Sequence, residues 1–293
     1  MRRIALVICA VAVAGMVIAP AADAKKKHRK KVVPVVSMAA SSPVAPEQTA
    51  SATATCAPNK TLVGGGFASG PLEGLAGPEF GTLVLESHRD AGNAKAWTVK
   101  ALNFSSSEPG TVSAYAYCRK GAAPLSENQV TIDNACACLP IVTAVATCSN
   151  GGRAVAGGFA APFDLNDGGA FPQASRRFGA FAWRFDALDE AFDGSAITSY
   201  AYCAPRARTE TTGVRVIPGN EDTGLGNGTA FAQLCHRRGQ RMLAGGFQLQ
   251  PFDVLTGTIQ LASQNAADGG RFATSAAQSG FTDGTVQSFG YCG

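Results

Sequence analysis

Few residues in this chain could do chemistry. Histidine occurs three times, at His28, His88 and His236. A metal centre wants several ligands at short, regular spacing, and no histidine here has them. His236 follows Cys235, whose place in a repeat described below assigns it to a disulfide. His88 lies in "ESHRD", where Glu86, His88 and Asp90 would share one strand face. A base could sit there, but the matching segments downstream carry Arg176 and Gln264 at that spot, so a polar strand end is the favoured reading. The carboxylates Glu86, Asp164, Asp186 and Asp253 are scattered, and no spacing pairs them for acid–base work. There is no Gly-x-Ser-x-Gly elbow and no phosphate-cradling loop. Neither a catalytic set, a metal nor a cofactor is expected.

Cysteine is the more informative residue, with nine copies. Cys9 falls in "IALVICAVAVAGMVIA", between the charged start Arg2-Arg3 and the small-x-small site Ala22-Asp23-Ala24. Residues 1–24 therefore read as a secretory signal peptide cleaved after Ala24, leaving no transmembrane span in the mature chain and a location outside the cell or at its envelope. Eight cysteines then remain, an even number that points to disulfides in an exported protein.

The positions of six of them are set by an internal repeat. "CAPNKTLVGGGF" at Cys56, "CSNGGRAVAGGF" at Cys148 and "CHRRGQRMLAGGF" at Cys235 open three copies. "YAYC" at Cys118, "YAYC" at Cys203 and "GYC" at Cys292 close them. Between these landmarks each copy has a variable Gly/Pro loop, a serine (Ser87, Ser175, Ser263) and an aromatic that opens a strand (Trp97, Trp183, Phe272). The pairing that respects the repeat is Cys56–Cys118, Cys148–Cys203 and Cys235–Cys292. Cys136 and Cys138, in "CAC", have no counterpart in the other copies. A bond between them would close a small strained ring of the labile kind, which would suit a redox role. The alternatives are a local staple or a link to a partner chain.

Alternation gives the elements that would position these residues. In "WTVKALN" Trp97, Val99 and Ala101 share a face, and in "WRFDALD" Trp183, Phe185 and Ala187 do. This period of two means half-buried strands. The closing strands place small residues on one face beside the cysteine, which suits a close-lying Gly-rich "GGF" strand. The expected fold is all-β: three pseudo-repeats of small antiparallel sheets in a prism-like, pseudo-threefold arrangement that hides sheet edges and pools three cores. Tandem small β domains are the alternative. The expected divisions are a flexible tail over 25–54, a first repeat over 55–121, a connector with the second over 122–206, and a connector with the third over 207–293. The connectors carry strand-like "NQVTI" and "GVRVI".

The aromatics Trp97, Tyr115, Tyr117, Trp183, Tyr200, Tyr202, Phe289 and Tyr291 recur in register. Exposed, they would be stacking platforms for sugar rings, with a glycan or cell-wall polymer as partner; buried, they would be core. The tail begins with "KKKHRKK", in which Lys25, Lys26, Lys27, Arg29, Lys30 and Lys31 could tether the protein to anionic polymers or lipid head groups. Without the signal segment and this run, seventeen basic residues face twenty acidic ones. The body is then slightly acidic overall, which argues against a nucleic-acid partner.

The pattern of Cys, a short turn, "GGF", a strand-opening Trp and Tyr-x-Cys resembles a repeat of secreted bacterial, especially actinobacterial, proteins. There "CPxGxxVxGGGF" opens a unit and "YAxC" closes it. The resemblance spans about residues 52–293 and implies export without implying an activity. More loosely, three Gly-rich sheet repeats with cysteines resemble the vitelline membrane outer layer proteins, which implies a three-sheet prism and no shared functional residue. The sequence thus favours a secreted, non-catalytic, disulfide-stabilised binding or structural module. A secreted hydrolase, or an inhibitor or toxin-like partner acting through loops 68–82, 160–173 and 248–258, stands beside it.

Overall fold

The computed structural model describes residues 35–293 apart from 71–80, 135–140, 166–167, 190–194, 218–224, 237–239, 251–257, 268–270 and 280–282. Among the described residues the regular structure is entirely β. Copy one contributes β1 (Val35–Val44), β2 (Thr49–Thr55), β3 (Lys60–Gly70), β4 (Thr82–Arg89), β5 (Ala96–Asn103) and β6 (Gly110–Lys120). Copy two contributes β7 (Ser126–Asp133), β8 (Ile141–Thr147), β9 (Arg153–Ala160), the short β10 (Phe163–Asp164), β11 (Gly168–Phe178), β12 (Ala182–Asp189) and β13 (Ala196–Ala204). Copy three contributes β14 (Thr209–Ile217), β15 (Leu225–Phe231), β16 (Met242–Gln250), β17 (Thr258–Ala267), β18 (Arg271–Ser279) and β19 (Gly284–Cys292).

Two expected boundaries change. The flexible tail was expected to run to residue 54, yet β1 and β2 lie within it, so copy one begins at Val35. β1 pairs with β6, and β2 with β5. Beyond its valines, "VVSMAASSPV" has a single large apolar residue, the exposed Met38, because β1 is an edge strand, where Pro43 is tolerated. The connector strands β7 and β14 take the same place as β1, pairing with β13 and β19.

The second change concerns the sheets. Each copy was expected to form its own small sheet. Instead, each copy splits between two. The orders are β1-β6-β3-β17-β18-β15, β14-β19-β16-β11-β12-β8 and β2-β5-β4-β9-β13-β7. Every sheet therefore joins half of one copy to half of another, through β3·β17, β16·β11 and β9·β4. Copy one meets copy two, two meets three, and three meets one. This ring of shared sheets excludes tandem beads. The opening and closing strands of each copy are neighbours as expected, and the disulfides Cys56–Cys118, Cys148–Cys203 and Cys235–Cys292 bolt them.

The three "GGF" strands run side by side in one sense at the centre. Near their starts, a side chain on Gly64 would collide with the Leu243 carbonyl and Ala244, which pins copies one and three together. Three residues further on, Phe67, Phe159 and Phe247 form a triangle of edge-on rings. Their centroids lie 5.8, 5.7 and 6.4 Å apart. Edge-to-face pairs of this kind contribute about 0.5–1.5 kcal/mol each beyond area burial. Because these strands share direction and level, the disulfide-bolted strand ends all lie at one end of the molecule.

Candidate functional site

The recurring aromatics gather where copies meet, and each seam has one aromatic pair. Trp97 of copy one packs edge-on against Tyr202 of copy two at 5.5 Å. Trp183 of copy two meets Tyr291 of copy three at 5.2 Å. Phe272 of copy three meets Tyr117 of copy one at 5.5 Å. Each opening aromatic lies flat on a glycine, namely Gly65, Gly157 or Gly245, where any Cβ would overlap its ring. That contact explains the first glycine of each "GGF". The second serves a different neighbour: at Gly158 and Gly246 a Cβ would strike the carbonyls of Ser87 and Ser175 on the adjoining copy.

Polar groups at these seams are satisfied within a copy at the indoles and across copies at the tyrosines. The indole N–H of Trp97 donates to Ser87 Oγ at 3.0 Å, and that of Trp183 to Ser175 Oγ at 2.8 Å. By seam register Ser87, Ser175 and Gln264 are equivalent, each facing the "GGF" phenylalanine of a neighbour. The sequence alignment had placed Ser263 there and must shift by one; the bulges of the three copies, between Val84 and Glu86, Pro172 and Ala174, and Leu261 and Ser263, fall into line with that shift. Where the tryptophan becomes Phe272, the serine that served its N–H is gone too. The Tyr202 hydroxyl accepts the Arg89 amide at 2.6 Å, and the Tyr291 hydroxyl accepts the Arg177 amide at 2.9 Å. Burial pushes the Tyr202 and Tyr291 hydroxyls above the ordinary phenol range.

Two seams carry a further clasp that sequence reasoning missed. The Arg89 guanidinium lies over the Tyr202 ring, donates to the Leu125 carbonyl and pairs with Glu127 at 2.8 Å. Arg177 does the same with the Tyr291 ring, the Arg208 carbonyl and Glu210 at 3.1 Å. A signal was present: both arginines stand two residues after the serine, and both glutamates are second in a connector strand. At the third seam the matching positions are Ala266 and Ser37, which carry no charge. Arg208, a buried residue, donates to the carbonyls of Val63 and Val155 and so ties copies one and two. Burial, with Arg119 nearby, lowers its pKa to about 9.

These placements correct the platform reading for six of its eight aromatics. Trp97, Tyr117, Trp183, Tyr202, Phe289 and Tyr291 are buried and present no open face to a sugar. Tyr115 and Tyr200 are half-buried. Tyr200 stacks on His88 at 4.6 Å, and the Arg176 guanidinium lies 5.8 Å from the Phe289 ring centre. The residue after the seam serine thus covers the outer aromatic of the next copy. By register, Asn265 rather than Gln264 is the equivalent position in copy three.

His88 also belongs to a small polar cluster. Its Nδ1–H donates to the Arg89 carbonyl at 2.8 Å, its Nε2 lies 3.4 Å from Glu86, and Lys100 is 3.3 Å from Glu86. Burial opposes charge on His88, yet the bond to Glu86, the Arg89 carbonyl and the charges of Glu86 and Glu127 outweigh it and raise the pKa. The hydrogen bond from His88 lowers that of Glu86 despite burial, with Lys100 assisting. Asp90 turns away to Thr98 and Gly92. Asp186 is buried against Arg184 and Thr143 in a different sheet from Glu86, so these two carboxylates are not paired.

Among the described residues no three His, Cys, Asp or Glu side chains gather as a metal would need, and no helix is long and apolar enough to cross a membrane. His236 is exposed beside the bonded Cys235. Cys136, Cys138, Asp253 and the tail cations Lys25, Lys26, Lys27, Arg29, Lys30 and Lys31 lie outside the described residues. No family model matches the chain, and no curated protein matches it either.

Proposed function

We propose that the protein is a non-catalytic, extracellular binding or structural module of the cell envelope. One observation carries this reading: the residues repeated in all three copies are used up in holding the copies together. Three disulfides suit an oxidising, extracytoplasmic compartment. Cysteines, paired glycines and closing tyrosines face a neighbouring strand or copy, so the repeat makes a rigid body rather than three sites. Recognition then falls to what is not consumed in this way, namely the tail, the strand-joining segments and the half-buried Tyr115 and Tyr200.

A binding screen over glycans and cell-wall polymers tests this reading, using wild type, a chain lacking residues 25–31, and Tyr115→Ala/Tyr200→Ala. Retention on an envelope polymer that weakens in one of these variants, with melting unchanged, supports it. Turnover of any screened polymer, or no envelope association in cell fractionation, would count against it.

A further inference from the structure

Charge is sorted along the molecule. At the disulfide end, Lys60, Lys95, Arg119 and Lys120 of copy one stand at strand starts, hairpin tips or strand finishes. Arg153, Arg206, Arg241 and Arg271 do so in copies two and three. Lys95, Lys120, Arg206, Arg241 and Arg271 are exposed. Of the described acids at this end, Glu127 and Glu210 are engaged by Arg89 and Arg177, and Asp90 by Thr98 and Gly92. The opposite end reverses the sign. Glu47, Glu108, Asp133, Asp189 and Asp283 lie at its turns and strand finishes, and Arg215 on β14 is the described cation nearest it.

Four of the nine exposed large apolar side chains among the described residues stand with the cations, whereas Met38, Ile132, Leu165, Val214 and Val216 stand elsewhere on the body. Phe178 and Phe181 flank the hairpin between β11 and β12, 50% and 43% exposed, with Arg184 and Arg153 beside their rings. Phe231 and Leu234, at the finish of β15, are 46% and 49% exposed. They line an open pocket of about 370 Å³ together with His236 and Arg271. Finally, β1 begins at this same end, with Val35 opposite Arg119. The chain that leads into it carries "KKKHRKK" four residues upstream.

We propose that the disulfide end docks on an anionic lipid surface. Phe178, Phe181, Phe231 and Leu234 enter the headgroup layer, and the surrounding lysines and arginines meet the phosphates. A soluble polyanion would be met by charge alone and would gain nothing from four exposed apolar side chains. A bilayer interface rewards both, as basic, aromatic-bearing surfaces do at anionic membranes. The acidic far end is repelled by the same surface, which fixes the orientation. This goes beyond the envelope reading above and depends on it only for access to a membrane.

The test is flotation with vesicles of phosphatidylcholine alone or mixed with phosphatidylglycerol, using residues 25–293 and the compact body 33–293. The body is expected to bind anionic vesicles at least about tenfold more tightly than neutral ones, with binding weakened by salt. Phe178→Ser/Phe181→Ser and Lys120→Glu/Arg206→Glu/Arg241→Glu should each cost about tenfold. Glu108→Gln/Asp133→Asn, at the far end, should change binding less than about twofold. Equal binding to both vesicle types, wild-type binding by the phenylalanine variant, or an equal effect from the far end would overturn the proposal. So would tighter binding to soluble polyphosphate than to vesicles. A glycan hit in the earlier screen with no vesicle binding would remove this proposal alone.

Discussion

The seams between consecutive copies differ from the one that closes the ring. Copies one and two, and two and three, meet through a tryptophan whose N–H is satisfied by a serine, a tyrosine that accepts a neighbour's amide, and an Arg–Glu clasp. Copies three and one meet through Phe272 and Tyr117, with Gln264, Ala266 and Ser37 at the polar positions. Here Val63, Met242, Leu243, Phe272 and Tyr117 form one apolar cluster. The consecutive seams each add an Arg–Glu ion pair, whereas Ala266 and Ser37 leave the closing seam without that charge pair beside its apolar cluster. Apolar contact tolerates small errors of alignment, which suits a seam that joins segments far apart in sequence, and directional clasps fix register where the chain is already local.

Trp183→Ala should break the comparison most strongly, because it empties a fully buried site between copies two and three. A loss of about 3–5 kcal/mol by denaturant unfolding is expected. Trp183→Phe, which imitates copy three, should cost far less, and Ser175→Ala added to it should cost almost nothing further. Gly157→Ala places a methyl where the Trp183 ring lies and should cost about 1–3 kcal/mol. Tyr291→Phe leaves the Arg177 amide without its acceptor, for a loss of about 1–3 kcal/mol. If Tyr291→Phe were neutral, the tyrosine would be mere filling. Building the missing clasp with Ala266→Arg and Ser37→Glu should stabilise by about 0–1 kcal/mol, the worth of a partly exposed pair.

The smallest effect is one of pH. The pKa of His88 is raised from its ordinary 6.5, so its contribution is full below that value and is lost as pH rises through the raised one. The pKa of Glu86 is lowered from 4.5, so its contribution is full above that value and is lost as pH falls through the lowered one. The difference in Tm between wild type and His88→Gln should therefore be greatest between about pH 4.5 and 6.5. A difference that does not vary with pH would show that the pair contributes only packing.

Much of this was legible in the residues. The cysteine pairing, the strand alternation and the neighbouring first and last strands follow from matching landmarks. The exchange of strands between copies does not, because a period of two says which face a residue takes and not which strand lies beside it. "VVSMAASSPV" escaped notice since an edge strand needs few apolar residues. The one-residue shift at Ser263 is read from the pairing of Gln264 with Phe67, a register that sequence spacing alone does not mark. The tyrosines could be read as surface or core until the glycines under the tryptophans showed which strand packs where. The sorting of charge depended on knowing which strand ends coincide, so a nearly balanced composition concealed two poles.

Native-state hydrogen exchange resolved to individual strands tests the central claim most directly. If the Arg–Glu clasps strengthen the consecutive seams, the amides of β3 and β17 that face each other should open at lower free energy than those of β4 with β9 and β11 with β16. Equal protection at all three seams, or greater protection between β3 and β17, would contradict the account.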